Sequence, residues 1–415
     1  MLLSLLACAV KPPMDLGSFA ADQVLLSDTQ TLSHLADAGG ERDLSALLRS
    51  DGSIFTSAPN PSALFTAQHE AHQSLPPLTE STELRVLTYN TALLSRSYLG
   101  TLVEMPEIDT RREQMGEKLF TAGYDVLLLQ EVWEWEDLLA LQVEGAGYGY
   151  AVYGGTAGLH SEHGLAIAVR EAIIDWSVPQ EQEEQQFDAQ RKLEYWPGPD
   201  VRRGWLTWSF TLAGTSQRVH LYDIHATSFV SFWLQRELQA RQVGMEIASR
   251  PAEDIVLLGG DLNSGPYYDT DVWTDGAGEA VPEWWRNAAA YALWLHYGEM
   301  YDALNAVRVP EDVKLGKTIP ADHTTYLTEP YGQREWCDEV AGTVFSATDC
   351  NTLYYQSYGG TEFPARLDHV FIRDPGAVVR VQSAGLVLSE PMPFDTGAFE
   401  LSDHYGVETV LEIAY

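Results

Sequence analysis

Apolar and polar positions begin to alternate at Glu83. From there the chain reads as short strands separated by a few helices. Leu84-Arg85-Val86-Leu87-Thr88-Tyr89-Asn90 has the two-residue period of a strand. Val126-Leu127-Leu128-Leu129-Gln130-Glu131 is a nearly continuous apolar run, which predicts a strand buried on both faces and ending on a carboxylate. Further strands are predicted over 165–169, 218–225, 255–263, 366–372 and 405–411. Helical spacing occurs over 110–122, where Met115 and Leu119 lie four residues apart. It recurs over 232–248, which would place Leu234, Leu238, Met245 and Ala248 on one side. Strands outnumber helices, and the two alternate unevenly. This favours an α/β (α+β) fold, a four-layer sandwich of two mixed β-sheets packed face to face with helices outside, over a plain doubly wound sheet.

Upstream the pattern fades. Residues 9–82 are polar and mixed, and are interrupted by Ser57-Ala58-Pro59-Asn60-Pro61-Ser62 and by Leu75-Pro76-Pro77. Such breakers predict an N-terminal extension or linker lying against a main domain of residues 83–415. Residues 1–8 differ again. Met1 to Ala7 is apolar, and Leu5-Leu6-Ala7-Cys8 resembles the end of a bacterial lipoprotein signal, in which the cysteine is lipidated. Export is therefore expected, as a lipoprotein or a secreted protein. The remaining cysteines, Cys337 and Cys350, flank a short polar stretch and could close a disulfide loop in an oxidising compartment.

Charge changes the picture of partners. The 415 residues carry 25 Lys+Arg against 60 Asp+Glu, a formal net charge of -35. So acidic a surface repels nucleic acid at long range, because phosphate-backbone binding relies on clustered Lys and Arg. A metal ion can neutralise a site locally, so a nuclease is not excluded. Aromatic residues concentrate between 267 and 301, including Trp273, Trp284, Trp285 and Trp294. Trp and Tyr suit a water–lipid interface as well as ordinary packing.

The richest segment is Ile255-Val256-Leu257-Leu258-Gly259-Gly260-Asp261-Leu262-Asn263. An apolar run ends on two glycines, which allow close approach of backbone, metal or phosphate. A carboxylate and a carboxamide follow, and strand alternation would aim both the same way. Similar polar groups end the other predicted strands: Asn90, Glu131, His225, Asp368 and the pair Asp403-His404. Any one of these is a common structural feature. Together they suit attack of water on phosphorus assisted by a hard divalent cation, which takes oxygen ligands, with His and amide donors holding the charge that grows on the phosphoryl oxygens. The sequence has no Ser elbow, P-loop or HExxH helix.

The series Leu87-Thr88-Tyr89-Asn90, Leu129-Gln130-Glu131-Val132, His163-Gly164-Leu165-Ala166-Ile167, Ile224-His225, Gly260-Asp261-Leu262-Asn263, Arg366-Leu367-Asp368-His369 and Ser402-Asp403-His404-Tyr405 resembles, in order, the motifs of the endonuclease/exonuclease/phosphatase superfamily, the deoxyribonuclease I-like fold. The resemblance implies a phosphoric diester hydrolase using Mg2+, with Mn2+ or Ca2+ as alternatives. It makes Glu131 the principal metal ligand, with Asn90 beside it and Asp403 close by. Asp261 and Asn263 would contact the attacking water, the metal or the phosphate, and His225 would donate to the phosphate. His404 would be the general acid or base, oriented by Asp368. His163, His323 and His369 are expected to pack or face solvent. The wording of Gly259-Gly260-Asp261-Leu262-Asn263, Ser402-Asp403-His404-Tyr405 and Arg203-Gly204-Trp205 is similar to that of bacterial neutral sphingomyelinases. Ala226-Thr227-Ser228-Phe229, by contrast, lacks the acidic stretch expected there. The expected substrate is a phospholipid head group, met by a monomer at a membrane surface through the Cys8 lipid and the aromatic span 267–301. The alternatives are a deoxyribonuclease I-like endonuclease and a surface-anchored binding module with an idle site.

Overall fold

In the computed structural model, residues 68–75, 77–93, 105–155, 163–188, 202–228, 233–265, 282–307, 367–395 and 397–415 are described, with backbone alone at 233–234 and 282–289. Cys8, Cys337, Cys350, His323, Arg366 and Trp273 lie outside these residues, as does the stretch 9–67. Among the described residues the elements run β1 (Ser81–Leu93), α1 (Ile108–Thr121), β2 (Val126–Val132), α2 (Trp135–Gly147), β3 (Tyr150–Gly154), β4 (Leu165–Arg170), β5 (Glu181–Gln186), β6 (Gly204–Thr211), β7 (Arg218–His225), α3 (Trp233–Ala248), β8 (Ile255–Asp261), α4 (Pro282–Gly298), β9 (Tyr301–Asp302), α5 (Ala303–Val307), β10 (Asp368–Arg373), β11 (Val379–Val387), β12 (Met392–Phe394), β13 (Gly397–Phe399) and β14 (Gly406–Ala414).

Two six-stranded mixed sheets result, ordered β11-β14-β1-β2-β4-β3 and β5-β6-β7-β8-β10-β9. Each has one parallel pair near its middle: β1 with β2 in the first sheet and β7 with β8 in the second. Parallel neighbours cannot be joined by a hairpin and need a crossover. Helix α1 lies between β1 and β2 in the chain, and α3 between β7 and β8.

Strand alternation sorts the side chains into layers. Leu84, Val86, Val126 and Leu128 of the first sheet meet Leu221, Leu257, Val370 and Ile372 of the second in a core between the sheets. The opposite-parity residues Leu87, Tyr89, Leu127 and Leu129 pack outward with Met115 and Leu119 of α1 and with Leu138 and Leu141 of α2. Tyr222, Ile224, Val256 and Leu258 pack on the other outer face with Ala240, Val243 and Ile247 of α3 and with Tyr291 and Trp294 of α4. These are the four layers expected from the pattern, with helices outside both sheets.

Some details differ from the sequence reading. Met245 was expected on the buried side of α3 but is 38% exposed, while Val243 and Ile247 take the buried positions. Tyr291 and Trp294, from the aromatic span proposed for membrane contact, are fully buried in the core under the second sheet. Apolar area there is removed from water by α3 and the sheet, which leaves these two rings nothing to offer a lipid. The described part of the predicted extension contacts the two sheets. His72 Nε2 donates to Val381 O at 3.3 Å, and Gln68 Oε1 accepts from Asp302 N at 3.3 Å. Its last residues, Ser81 and Thr82, already pair with Ala414 and Ile413 in the first sheet.

Candidate active site

The two parallel pairs end at one edge of the sandwich, where open α/β sheets commonly place ligand-binding groups. β1 and β2 bring Asn90 and Glu131 there, and β7 and β8 bring His225 and Asp261, which are register partners. β10 runs antiparallel to β8, so its first residue, Asp368, lies opposite Asp261. β14 runs antiparallel to β1, with Thr88 opposite Val407. The residues just before β14, Asp403 and His404, thereby arrive beside the end of β1.

Simple alternation would send Glu131 to the helix-covered face with Leu127 and Leu129. A left-handed backbone, φ 63°, breaks the alternation at Glu131. Its Oε1 instead reaches within 4.0 Å of His225 Nε2 on the facing sheet. Ala92 (φ 49°) and Asn263 (φ 47°) share this conformation. Each such residue costs about 1–3 kcal/mol, a strain that clusters at functional sites. The two glycines before Asp261 serve the protein's own packing. A Cβ on Gly260, at φ 154°, would lie 2.0 Å from Ile224 O, and one on Gly259 would lie 2.4 Å from Leu128 Cδ1 across the sandwich.

Asp261 is the hub. Its Oδ2 accepts from Asn90 Nδ2 at 3.1 Å and lies 3.3 Å from His225 Nε2 and 4.0 Å from His404 Nε2. Its Oδ1 accepts from Asn263 N at 2.9 Å. Asn263 departs from the sequence expectation. β8 ends at Asp261, and the Asn263 carboxamide donates to Ala226 O at 3.2 Å, so it does not continue the strand alternation beside Asp261. Asn90 Oδ1 accepts from Ala92 N at 3.0 Å, so its carboxamide joins the end of β1 to Asp261. His404 Nδ1 and Asp368 Oδ2 are 2.7 Å apart, the pairing expected from the sequence.

The electrostatics are lopsided. Burial, then the charges of Asp403 and Asp261, push the Glu131 carboxyl up to about 8, although Arg203 and His404 oppose them. Burial, Arg203 and His404 hold His225 well below its ordinary 6.5. For His404 burial disfavours the charge, but Asp368, Asp261 and Asp403 outweigh it and raise the group well above 6.5. Carboxylates crowded into a buried edge are short of positive charge, and such an oxygen-rich set fits a hard divalent cation. Asp261, Asp368 and His404 each bring a ligand atom within 4.8 Å of the others. This group overlaps the residues expected to be catalytic more than the expected ligands Glu131, Asn90 and Asp403. Asp368 occupies His404 Nδ1, which leaves Nε2 as the nitrogen His404 turns toward Asp261.

Several neighbours that support the site were not singled out as such from the sequence. Arg111 of α1, fully buried, donates to Leu401 O at 2.7 Å, Thr91 O at 2.9 Å and Ala92 O at 3.1 Å, tying the end of β1 to the segment carrying Asp403 and His404. Ser402 Oγ donates to Asn90 O at 2.6 Å and accepts from His404 N at 3.1 Å. Arg203 Nη1 hydrogen-bonds His225 Nδ1, and its guanidinium lies 5.3 Å over the Trp133 ring. An arginine in an amphipathic helix or a serine in a loop carries no sequence signal of such roles. His163 and His369 are buried and pack, as expected, with His369 Nε2 donating to Ser264 O at 3.0 Å.

In sequence, the model of the Endonuclease/Exonuclease/phosphatase family matches residues 87–404. No curated protein matches the chain. Among solved structures, the chain is similar to a family protein from Bacteroides thetaiotaomicron, with 16% identity and a TM-score of 0.49 over 81% of this chain and 100% of that one. It is similar to D. rerio TDP2 complexed with a single-strand DNA product, with 19% identity and a TM-score of 0.48 over 80% and 99%. Truncated Caenorhabditis elegans TDP2 gives 18% identity and a TM-score of 0.46 over 80% and 98%. The family match runs from within β1 to His404, and the chain belongs to the Endonuclease/Exonuclease/phosphatase family, whose members are generally phosphodiester hydrolases that depend on a divalent metal.

Proposed function

We propose that the protein is a divalent-metal-dependent phosphodiesterase that uses activated water, with a phospholipid head group as substrate in preference to nucleic acid. One observation carries the reaction class: at a single edge, buried carboxylates converge on two histidines, with Asp261 Oδ2 3.3 Å from His225 Nε2 and 4.0 Å from His404 Nε2, and Asp368 Oδ2 2.7 Å from His404 Nδ1. Glu131 and Asp403, with Asn90 and Asp261 beside them, would hold Mg2+, or Mn2+ or Ca2+ in its place. When bound, such an ion supplies polarisation of a phosphoryl oxygen and stabilisation of the leaving oxygen. Asp261 and Asn263 position water and phosphate. His225 donates to a phosphoryl oxygen as negative charge grows there. His404, oriented by Asp368, exchanges the proton of the attacking water or the leaving group. A general acid or base must sit within hydrogen-bond reach of its proton, and the fixed Nδ1 contact leaves Nε2 facing the site.

The substrate reading rests on charge. A net charge of -35 disfavours approach of a long polyanion and is indifferent to a zwitterionic head group. An exported location through Cys8 belongs to the same proposal. Incubation with sphingomyelin liposomes and with plasmid, each with Mg2+, tests it. Released phosphocholine, abolished by EDTA, is the expected result. Nicked plasmid without phosphocholine moves the substrate to nucleic acid. Full activity in EDTA overturns the metal-dependent mechanism, and turnover of neither substrate favours a binding module with an idle site.

A further inference from the structure

We infer that Arg203 is a positioning residue that fixes His225 as the Nε2–H tautomer, so that a neutral donor points at the phosphate; the catalytic meaning of this rests on the function proposed above. Arg203 lies just before β6, whose register partner is β7: Trp205 is opposite Ile224, which brings Arg203 alongside the end of β7. Its side chain is buried, and the Trp133 ring beneath the guanidinium holds it in place.

The chemistry leaves one consistent arrangement. A guanidinium has only donors and does not lose its proton in a protein. The nitrogen it touches, His225 Nδ1, must therefore accept and carry no hydrogen. A neutral imidazole with a bare Nδ1 has its proton on Nε2. That nitrogen faces Asp261 Oδ2 at 3.3 Å and Glu131 Oε1 at 4.0 Å, groups that accept when ionised. The other tautomer would set N–H against N–H at Arg203 and a lone pair against the Asp261 carboxylate. His404 is prepared the opposite way. Its Nδ1 meets the Asp368 carboxylate at 2.7 Å, so Nδ1 carries a hydrogen and, in the neutral ring, Nε2 offers its lone pair. Partners of a histidine's second nitrogen are usually acceptors, as Asp368 is for His404. Arg203 inverts that rule for His225, which keeps a hydrogen on Nε2 without taking on charge.

Histidine-selective 15N labelling of the full chain without metal, read by long-range 1H–15N correlation near neutral pH, tests the assignment. A His225→Asn variant identifies the ring signals. The expected spectrum of His225 shows a protonated Nε2 and a bare Nδ1. Arg203→Met should shift the Nδ1 signal and populate the other tautomer. It should also lower kcat on the cleaved phosphodiester by about a hundred-fold with KM little changed, the size of a lost charge-stabilising donor. Arg203→Lys, which keeps a donor, should recover part of both effects. A protonated Nδ1 in the parent protein overturns the inference, as does an unchanged His225 spectrum in Arg203→Met. Should Arg203→Met fail to fold, the parent spectrum still decides. The outcomes stay separate from the proposed reaction: the expected tautomer without turnover leaves Arg203 in place and removes the activity, and turnover with the wrong tautomer does the reverse.

Discussion

Strand β7 carries two buried histidines, and the comparison between them separates structural from chemical use of the same side chain. His220, near the start of the strand, faces the helix-covered side. Its Nδ1 accepts from Ser209 Oγ at 2.7 Å, and its Nε2 donates to Asp254 Oδ2 at 2.8 Å. That is a Ser–His–Asp chain on paper. Burial is the largest cause lowering its pKa, Arg250 and Arg218 also act in that direction, and Asp254 opposes them. One carboxylate is thus matched by nearby arginines, and Ser209 is buried against its cross-strand partner. His225, at the end of the strand, faces the space between the sheets, where Asp261, Glu131 and Asp403 outnumber the cations. Having a histidine with a carboxylate partner does not distinguish the two ends. Uncompensated negative charge does, and that is the feature a cation and a phosphate can use.

The largest expected effect is on turnover. His404→Ala should lower kcat by about a thousand-fold, in the range of lost acid–base catalysis, and should also lower Tm, because the buried Asp368 carboxylate loses its partner. A comparable loss in Ser209→Ala would break the comparison. Next is Arg111→Met, which strips the charged donor from the Thr91, Ala92 and Leu401 carbonyls. It should cost about 3 kcal/mol in denaturant unfolding and lower activity as well, because it releases the segment bearing Asp403 and His404.

Metal should act at the charged end. Saturating Mg2+, at about a hundred times its Kd, should stabilise the protein by about 2.7 kcal/mol, read as a rise in Tm that EDTA reverses. Glu131→Gln should raise Tm in EDTA and abolish most of the Mg2+ response. If Glu131→Gln lowers Tm in EDTA, the carboxylates are not repelling one another.

The pH dependence should have opposite signs at the two ends. Glu131, raised from 4.5 to about 8 in the folded protein, keeps a proton that the unfolded chain loses. Without metal its contribution to stability falls as pH rises from about 4.5 through about 8, then levels off. His220, lowered from 6.5, is protonated more readily in the unfolded chain. Its contribution falls as pH drops below 6.5. Glu131→Gln should flatten the first slope, and a stability–pH curve that keeps it would sink this reading. Ser209→Ala is the smallest effect: about 1–2 kcal/mol for one buried hydrogen bond, with the acceptor left behind, and kcat unchanged.

Much of the fold was legible because burial imposes a period. The continuous run 126–129 and the alternation over 84–90 required buried strands, and the observed layers follow their parity residue by residue. The residues at the strand ends were legible as a set, and the structure brings Asn90, Glu131, His225, Asp261, Asp368, Asp403 and His404 to one edge. Where reading by period failed, the backbone had left it. Glu131 reaches the site only through a left-handed φ, and the strand stops at Asp261 before Asn263. Met245 sits on a helical stripe but faces out, since the helix is rotated to bury Val243 and Ile247 against the sheet.

Residue type and period alone set which residues can be buried, which strand ends carry polar groups, and the large excess of acid over base. That Arg203 meets His225, that Arg111 ties two site segments together, and that Glu131 turns toward the opposite sheet came from the folded arrangement of the elements. Those contacts join elements distant in the chain, and their direction is set by strand register and backbone dihedrals, which no local pattern of residues encodes.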